Sequence, residues 1–164
     1  MQRSRQQRWL SITAFVLAIA ILALPSRSQA PTGKGAAAAP DATGHWHGVW
    51  AAPGGWVYEA DFQITEGLGN AVVADIHWTL RQADPSRTDY QGKVGMTGVE
   101  HTKGIFFPAV GVVSLEGYAL DDPNTILGMD KYRLILSDDG TTLGGITWDH
   151  GDWNGQFFAK RQAN

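Results

Sequence analysis

From Gly44 onward, short apolar segments alternate with polar positions and are bounded by Gly, Pro, Asn and Asp. Period-two alternation of this kind marks strands, because successive side chains in a strand point to opposite faces. It predicts strands near 45–51, 56–65, 70–82, 90–100, 105–109, 111–120, 130–137, 141–149 and 153–161, with one of the fourth and fifth a candidate loop. Tyr58, Ala60, Phe62 and Ile64 share one face of the second segment, and Val57, Glu59, Asp61 and Gln63 the other. In the third, Val72, Ala74, Ile76, Trp78 and Leu80 oppose Val73, Asp75, His77, Thr79 and Arg81. Tyr132, Leu134 and Leu136 oppose Arg133, Ile135 and Ser137. One dry and one wet face repeated over many strands calls for a sheet folded over on itself, as a barrel or a sandwich. Turn formers at Asp121-Asp122-Pro123-Asn124, Asp138-Asp139-Gly140 and His150-Gly151-Asp152 separate the later strands, and Asp139-Gly140 is a strong hairpin signal. Short connections favour an up-and-down barrel over a Greek-key sandwich. After residue 44 no stretch has a convincing helical period, which argues against a βαβ sheet.

Ahead of this domain, Arg3, Arg5 and Arg8 precede an uncharged run from Trp9 to Leu24. That is the pattern of a secretory leader over residues 1–30, with small residues at Ser28-Gln29-Ala30, or of an uncleaved anchor through residues 9–24. Either arrangement predicts an extracytoplasmic domain, periplasmic or secreted. Pro31 to Thr43 is Ala- and Gly-rich and reads as a flexible linker to a domain spanning 44–164.

The chain has no Cys, which excludes a disulfide framework, a thiolate metal site and a lipoprotein anchor. All sixteen Asp and Glu lie beyond residue 40, and from Pro31 onward they face nine Lys and Arg, a balance of −7. An acidic domain is a poor nucleic-acid binder and is repelled by anionic lipid.

The first strand carries Gly44-x-Trp46 and then Gly48-x-Trp50, and the last strand ends in Lys160-Arg161. These positions resemble the calycin group (lipocalins, fatty-acid-binding proteins and avidins), and also small bacterial exported barrel domains. The resemblance implies an antiparallel, up-and-down, eight-stranded calycin-like barrel. It also implies that Arg161, inward by parity with Gly155, Phe157 and Ala159, packs on Trp46 next to Gly44 and closes one barrel end. This chain departs from lipocalins in having no disulfide and no helix before the last strand.

An inward set of Trp50, Tyr58, Phe62, Trp78, Tyr132 and Trp148 would line a cavity for a small apolar or aromatic ligand, or fill the interior as core. Trp46, Gly48 and Trp50 share a face on which the glycine leaves either a slot or room for a neighbouring side chain. His45 and His47 have a spacing two metal ligands can use, with His77–Asp75 and His150–Asp149 as further donors, but they point outward and are expected to be surface residues, so neither metal nor cofactor is expected. His101 has no recognisable partner. Ser114 sits in no nucleophile elbow, and Glu116 becomes an acid or base only if its strand has the opposite phase. The expectation is therefore binding without chemistry. A protease-inhibitor-like interaction module using residues 31–43 as an arm against an extracytoplasmic protein, or a structural envelope domain, is the alternative.

Overall fold

A computed structural model describes residues 39–149, 151 and 153–163. The leader at 1–30, the apolar run at 9–24 and the linker as far as residue 38 lie outside the described residues, as does His150. Eight antiparallel strands follow one another around a closed up-and-down barrel: β1 (Gly44–Ala52), β2 (Trp56–Glu66), β3 (Ala71–Gln82), β4 (Thr97–Phe107), β5 (Val112–Asp121), β6 (Lys131–Leu136), β7 (Thr142–Trp148) and β8 (Asn154–Arg161). Closure comes from β1 pairing with β8, with Trp46 opposite Arg161 and Trp50 opposite Phe157.

Eight strands replace the nine segments read from the sequence. Residues 97–107 form one strand that joins the end of the fourth segment to the fifth, while Thr88–Gln91 is a single helical turn, α1, in the β3–β4 connection. The inward row of β4 is Gly98, Glu100, Thr102, Gly104 and Phe106, whereas Ile105 and Phe107 face out. An inward row with so many small and polar members gives no alternation of hydrophobicity, which is why its phase is not visible in the sequence.

Elsewhere the alternation dictates the faces. Ala60, Ile64, Leu80, Val113, Leu143 and Ala159 have no exposed surface, and Trp46, Ile76, Tyr132 and Leu134 are almost as deeply covered. Burying each large apolar side chain of this kind contributes roughly 1.5–3 kcal/mol. Phe157 sits at the centre, with Phe62, Trp78 and Tyr132 ring centroids 5.7–6.2 Å away.

The two ends differ. The connections at 67–70, 108–111 and 137–141 are short and sit at the end that also carries the N-terminus of β1 and the C-terminus of β8. There Trp46 lies under Arg161, whose guanidinium carbon is 4.4 Å from the indole centre. Arg161 donates from Nε to Gly140 O (2.7 Å), from Nη2 to Asp41 O (2.6 Å) and from Nη1 to Thr43 O. Trp46 Nε1 donates to Ala42 O at 3.1 Å. Asp41–Thr43, at the end of the sequence-based linker, are therefore pinned to the barrel, and Ala42 is buried. Gly44 has φ +123°, a conformation that disfavours a side chain, and a Cβ there would lie 2.8 Å from Arg161 Nη1. Glycine is what lets the chain turn into β1 beneath the guanidinium.

The opposite end carries the long connections 83–96 and 122–130, with 53–55 and 149–153 beside them. These segments build the mouth.

Candidate functional site

At the mouth, aromatic side chains from four segments converge. Trp50 ends β1, Trp56 and Tyr58 begin β2, Tyr90 comes from α1, and Trp153 comes from the β7–β8 connection. Trp50 and Trp153 lie nearly parallel (10°) with centroids 6.3 Å apart; Trp153 is 4.8 Å from Trp56, and Trp56 meets Tyr90 edge-on at 4.8 Å. Tyr58 presents its ring edge-on to both Trp50 (5.6 Å) and Trp78 (6.1 Å).

Two hydrogen bonds fix the wall. Trp50 Nε1 donates to Thr147 Oγ1 at 2.6 Å, and Tyr58 Oη donates to Ile126 O at 2.6 Å. The second holds the 122–130 connection over the barrel with Ile126 buried. Trp50 lies flat against Gly155, where a Cβ would collide with the indole. Glycine at 155 is therefore what seats the ring.

Between these walls is a cavity of about 280 Å³, just below the roughly 300–1,000 Å³ of ligand pockets. Its lining includes Trp50, Tyr58, Trp78, Tyr90 and Trp153, but also Glu100, Asp130 and Asp149. Glu100 is 1% exposed. Its Oε2 accepts from Tyr132 Oη and from Trp78 Nε1 (3.4 Å), and its Oε1 accepts from the Asp130 backbone N–H (2.8 Å). Gly117 of β5 leaves room for this carboxylate, since a Cβ there would overlap Oε1. Burial raises the Glu100 pKa, and the donated hydrogen bonds oppose the rise. The Asp130 carboxyl is pushed up to about 7, first by burial and then by the charges of Glu100 and Asp149, against the Thr147 hydroxyl. Burial likewise raises the Tyr58 and Tyr132 phenols, so both stay protonated as donors.

The six side chains expected to line a cavity thus separate. Trp50, Tyr58 and Trp78 line it. Phe62 and Tyr132 lie in the core beneath, Phe62 stacked on Trp46 at 6.5 Å and Tyr132 under Glu100. Trp148 is a correction: it faces outward and is 38% exposed. The inward positions of β7 are Leu143, Gly145 and Thr147, and Thr147 takes the place beside Trp50 that an inward Trp148 would need. The slot between Trp46 and Trp50 is also absent, because Ala159 of β8 packs against Gly48 and fills it.

Tyr90, Trp153, Glu100 and Asp130 were not singled out by the sequence, and Asp149 only as a metal donor beside His150. The available signal was topological: once the strand order is fixed, residues flanking 83–96, 122–130 and 149–153 must meet at one barrel end.

Among the described residues, neither His45 with His47 nor His77 with Asp75 forms the donor set suggested by its spacing; His47 instead groups with Glu59 and Asp61. His47 meets Asp61 (2.8 Å) and Glu59 (3.2 Å) on the outer surface, where Arg81 also pairs with Glu59. His101, rather than His77, contacts Asp75 (2.7 Å) and also Asp121 (3.1 Å), and these carboxylates raise its pKa. Glu116 points to solvent beside Lys131.

No family model, curated protein or solved structure matches this chain.

Proposed function

We propose that this chain is an exported, calycin-like binding protein that holds one small molecule with an apolar or aromatic body in the barrel mouth, without chemistry. The carrying observation is the cavity walled by Trp50, Tyr58, Trp78, Tyr90 and Trp153 above a cluster of buried apolar side chains. Burial against ring faces would supply the affinity, and the few polar groups would orient the ligand. The first-strand Gly-x-Trp and its terminal arginine partner support the calycin assignment, and residues 1–30 support export.

Titration of intrinsic Trp fluorescence with small aromatic and aliphatic probes tests the reading. Trp50 and Trp153 sit on the cavity, so an occupant should shift or quench emission saturably, and Trp50→Ala should abolish the response. A folded protein whose emission no probe alters would refute it.

One observation favours a second reading, an interaction module meeting another extracytoplasmic protein. Val49, Phe158, Ile135 and Phe107 lie in a single register row on the outside of the barrel, through Gly144 and Val112, and each is more than 40% exposed. Phe158→Lys should abolish capture of such a partner and leave the mouth unchanged, whereas Trp50→Ala should do the reverse.

A further inference from the structure

We infer that the mouth cavity selects a cation: a small protonated amine with an apolar body, its ammonium group held against Asp130 and Asp149 and its body against the indoles. This rests on the binding reading and adds the charge of the ligand to it.

Three features of the cavity agree. Ring faces of Trp and Tyr carry negative electrostatic potential, and a cation within about 6 Å of a ring centre is attracted to it. Trp50, Tyr58, Trp78, Tyr90 and Trp153 border a cavity small enough to bring an occupant that close to several rings. Next, all three carboxylates in the lining belong to different strand connections or strands: Glu100 on β4, Asp130 before β6, Asp149 after β7. Their convergence is a product of closure, although Asp149 Oδ1 also accepts the Gly151 (2.7 Å) and Trp153 (3.2 Å) backbone N–H groups of its own turn, which leaves its other oxygen for a ligand. A neutral, fully apolar occupant would displace water from beside Glu100 and Asp130, which burial already leaves poorly solvated, and that is costly. An ammonium group restores the lost interaction with charge-assisted hydrogen bonds.

The remaining charge in the lining does not oppose this. Arg87 is the cation among the lining residues, and its Nε and Nη2 donate to Asp89 at 3.1 and 3.0 Å. Its guanidinium also lies 4.9 Å from the Tyr90 ring centre, and Lys93 Nζ lies 4.7 Å from the same ring. The Tyr90 ring thus already has two cations within 5 Å of its centre.

The primary ammonium, not the quaternary one, is favoured by the acceptors. Asp130 and Asp149 offer oxygens to N–H donors, which a quaternary nitrogen lacks. Groups facing Asp130 are Glu100, Asp149, Tyr132, Tyr58 and the Thr147 hydroxyl, and none of them is cationic.

The test is a charge series at constant shape, followed by calorimetry and Trp emission on the full chain. The probes are 2-phenylethylamine, 2-phenylethanol and 3-phenylpropanoate, with hexylamine, hexanol and hexanoate as the aliphatic set and tetramethylammonium as the quaternary control. Each amine should bind at least about tenfold tighter than its alcohol, a difference of about 1.4 kcal/mol, and each carboxylate should not bind. The Asp130→Asn/Asp149→Asn double variant should lose most of the amine preference while its affinity for the alcohols holds. Amine affinity should fall severalfold between pH 8 and pH 5, where the amines stay charged but Asp130 takes up a proton. Equal binding of amine and alcohol overturns the cation inference and leaves the binding reading standing. Stronger binding of tetramethylammonium than of hexylamine overturns the primary-ammonium assignment. Failure of every probe to bind or to alter emission overturns both.

Discussion

Gly155→Ala is the substitution whose outcome depends most directly on how the mouth is built. A methyl group at 155 would overlap the Trp50 indole, which cannot yield towards β8 and must swing into the cavity. Overpacking of this kind costs about 1–3 kcal/mol. The swing also breaks the Trp50 Nε1 to Thr147 Oγ1 hydrogen bond, for about 1 kcal/mol more. The total, roughly 2–4 kcal/mol, is a large part of the 5–15 kcal/mol that stabilises a typical domain. At about 3–5 °C per kcal/mol for a domain of this size, the melting temperature should drop by about 6–20 °C. Urea unfolding followed by far-UV circular dichroism measures the loss, and a double-mutant cycle with Trp50→Leu assigns it. In the Trp50→Leu chain the alanine should cost less than about 1 kcal/mol, because the indole it strikes is gone. An undiminished cost in that background would show that Trp50 does not occupy the space over Gly155, and the described mouth would be wrong.

Replacing Arg161 by Met should cost about 2–4 kcal/mol in urea unfolding. It removes the cation over Trp46 and leaves the Gly140, Asp41 and Thr43 carbonyls without their donor. The folded-state pKa of Asp130 is raised to about 7, so this group favours folding when protonated. Its contribution is fully present below about pH 4 and is lost as pH rises towards 7. Thermal melts of wild type against Asp130→Asn should therefore diverge by roughly 1–3 kcal/mol across that window, the wild type losing stability as pH rises and the variant staying flatter. His101 has the same sign and cancels in the difference, and working above pH 4 avoids Asp139, which Ser137 and Thr141 hold at about 2. Glu100→Gln should lower the Asp130 midpoint, read from its carboxyl carbon by NMR, while leaving it above the ordinary range because burial remains the larger cause. Trp148→Gln should change stability by less than about 0.5 kcal/mol and leave probe binding intact, as expected of an outward side chain.

What the sequence determined by itself was the set of strands whose two faces differ in polarity. Tyr58 through Ile64, Val72 through Leu80 and Tyr132 through Leu136 each placed their inward rows correctly, because local alternation and burial follow the same period of two. The contact of Trp46 with Arg161 was expected from the resemblance to calycins, with parity along β8 in support, and the two meet where β8 pairs with β1. β4 was not legible, since its inward row is Gly, Glu, Thr, Gly and Phe and its outward row is the more apolar one. Trp148 was misplaced because at a strand end a bulky side chain gives no local sign of which neighbour needs the interior. Tertiary structure alone decided that Glu100, Asp130 and Asp149, separated in the chain by tens of residues, share one mouth with Trp50 and Trp153. Local preference acts over a few residues, whereas the electrostatics of a cavity depend on which connections barrel closure brings together.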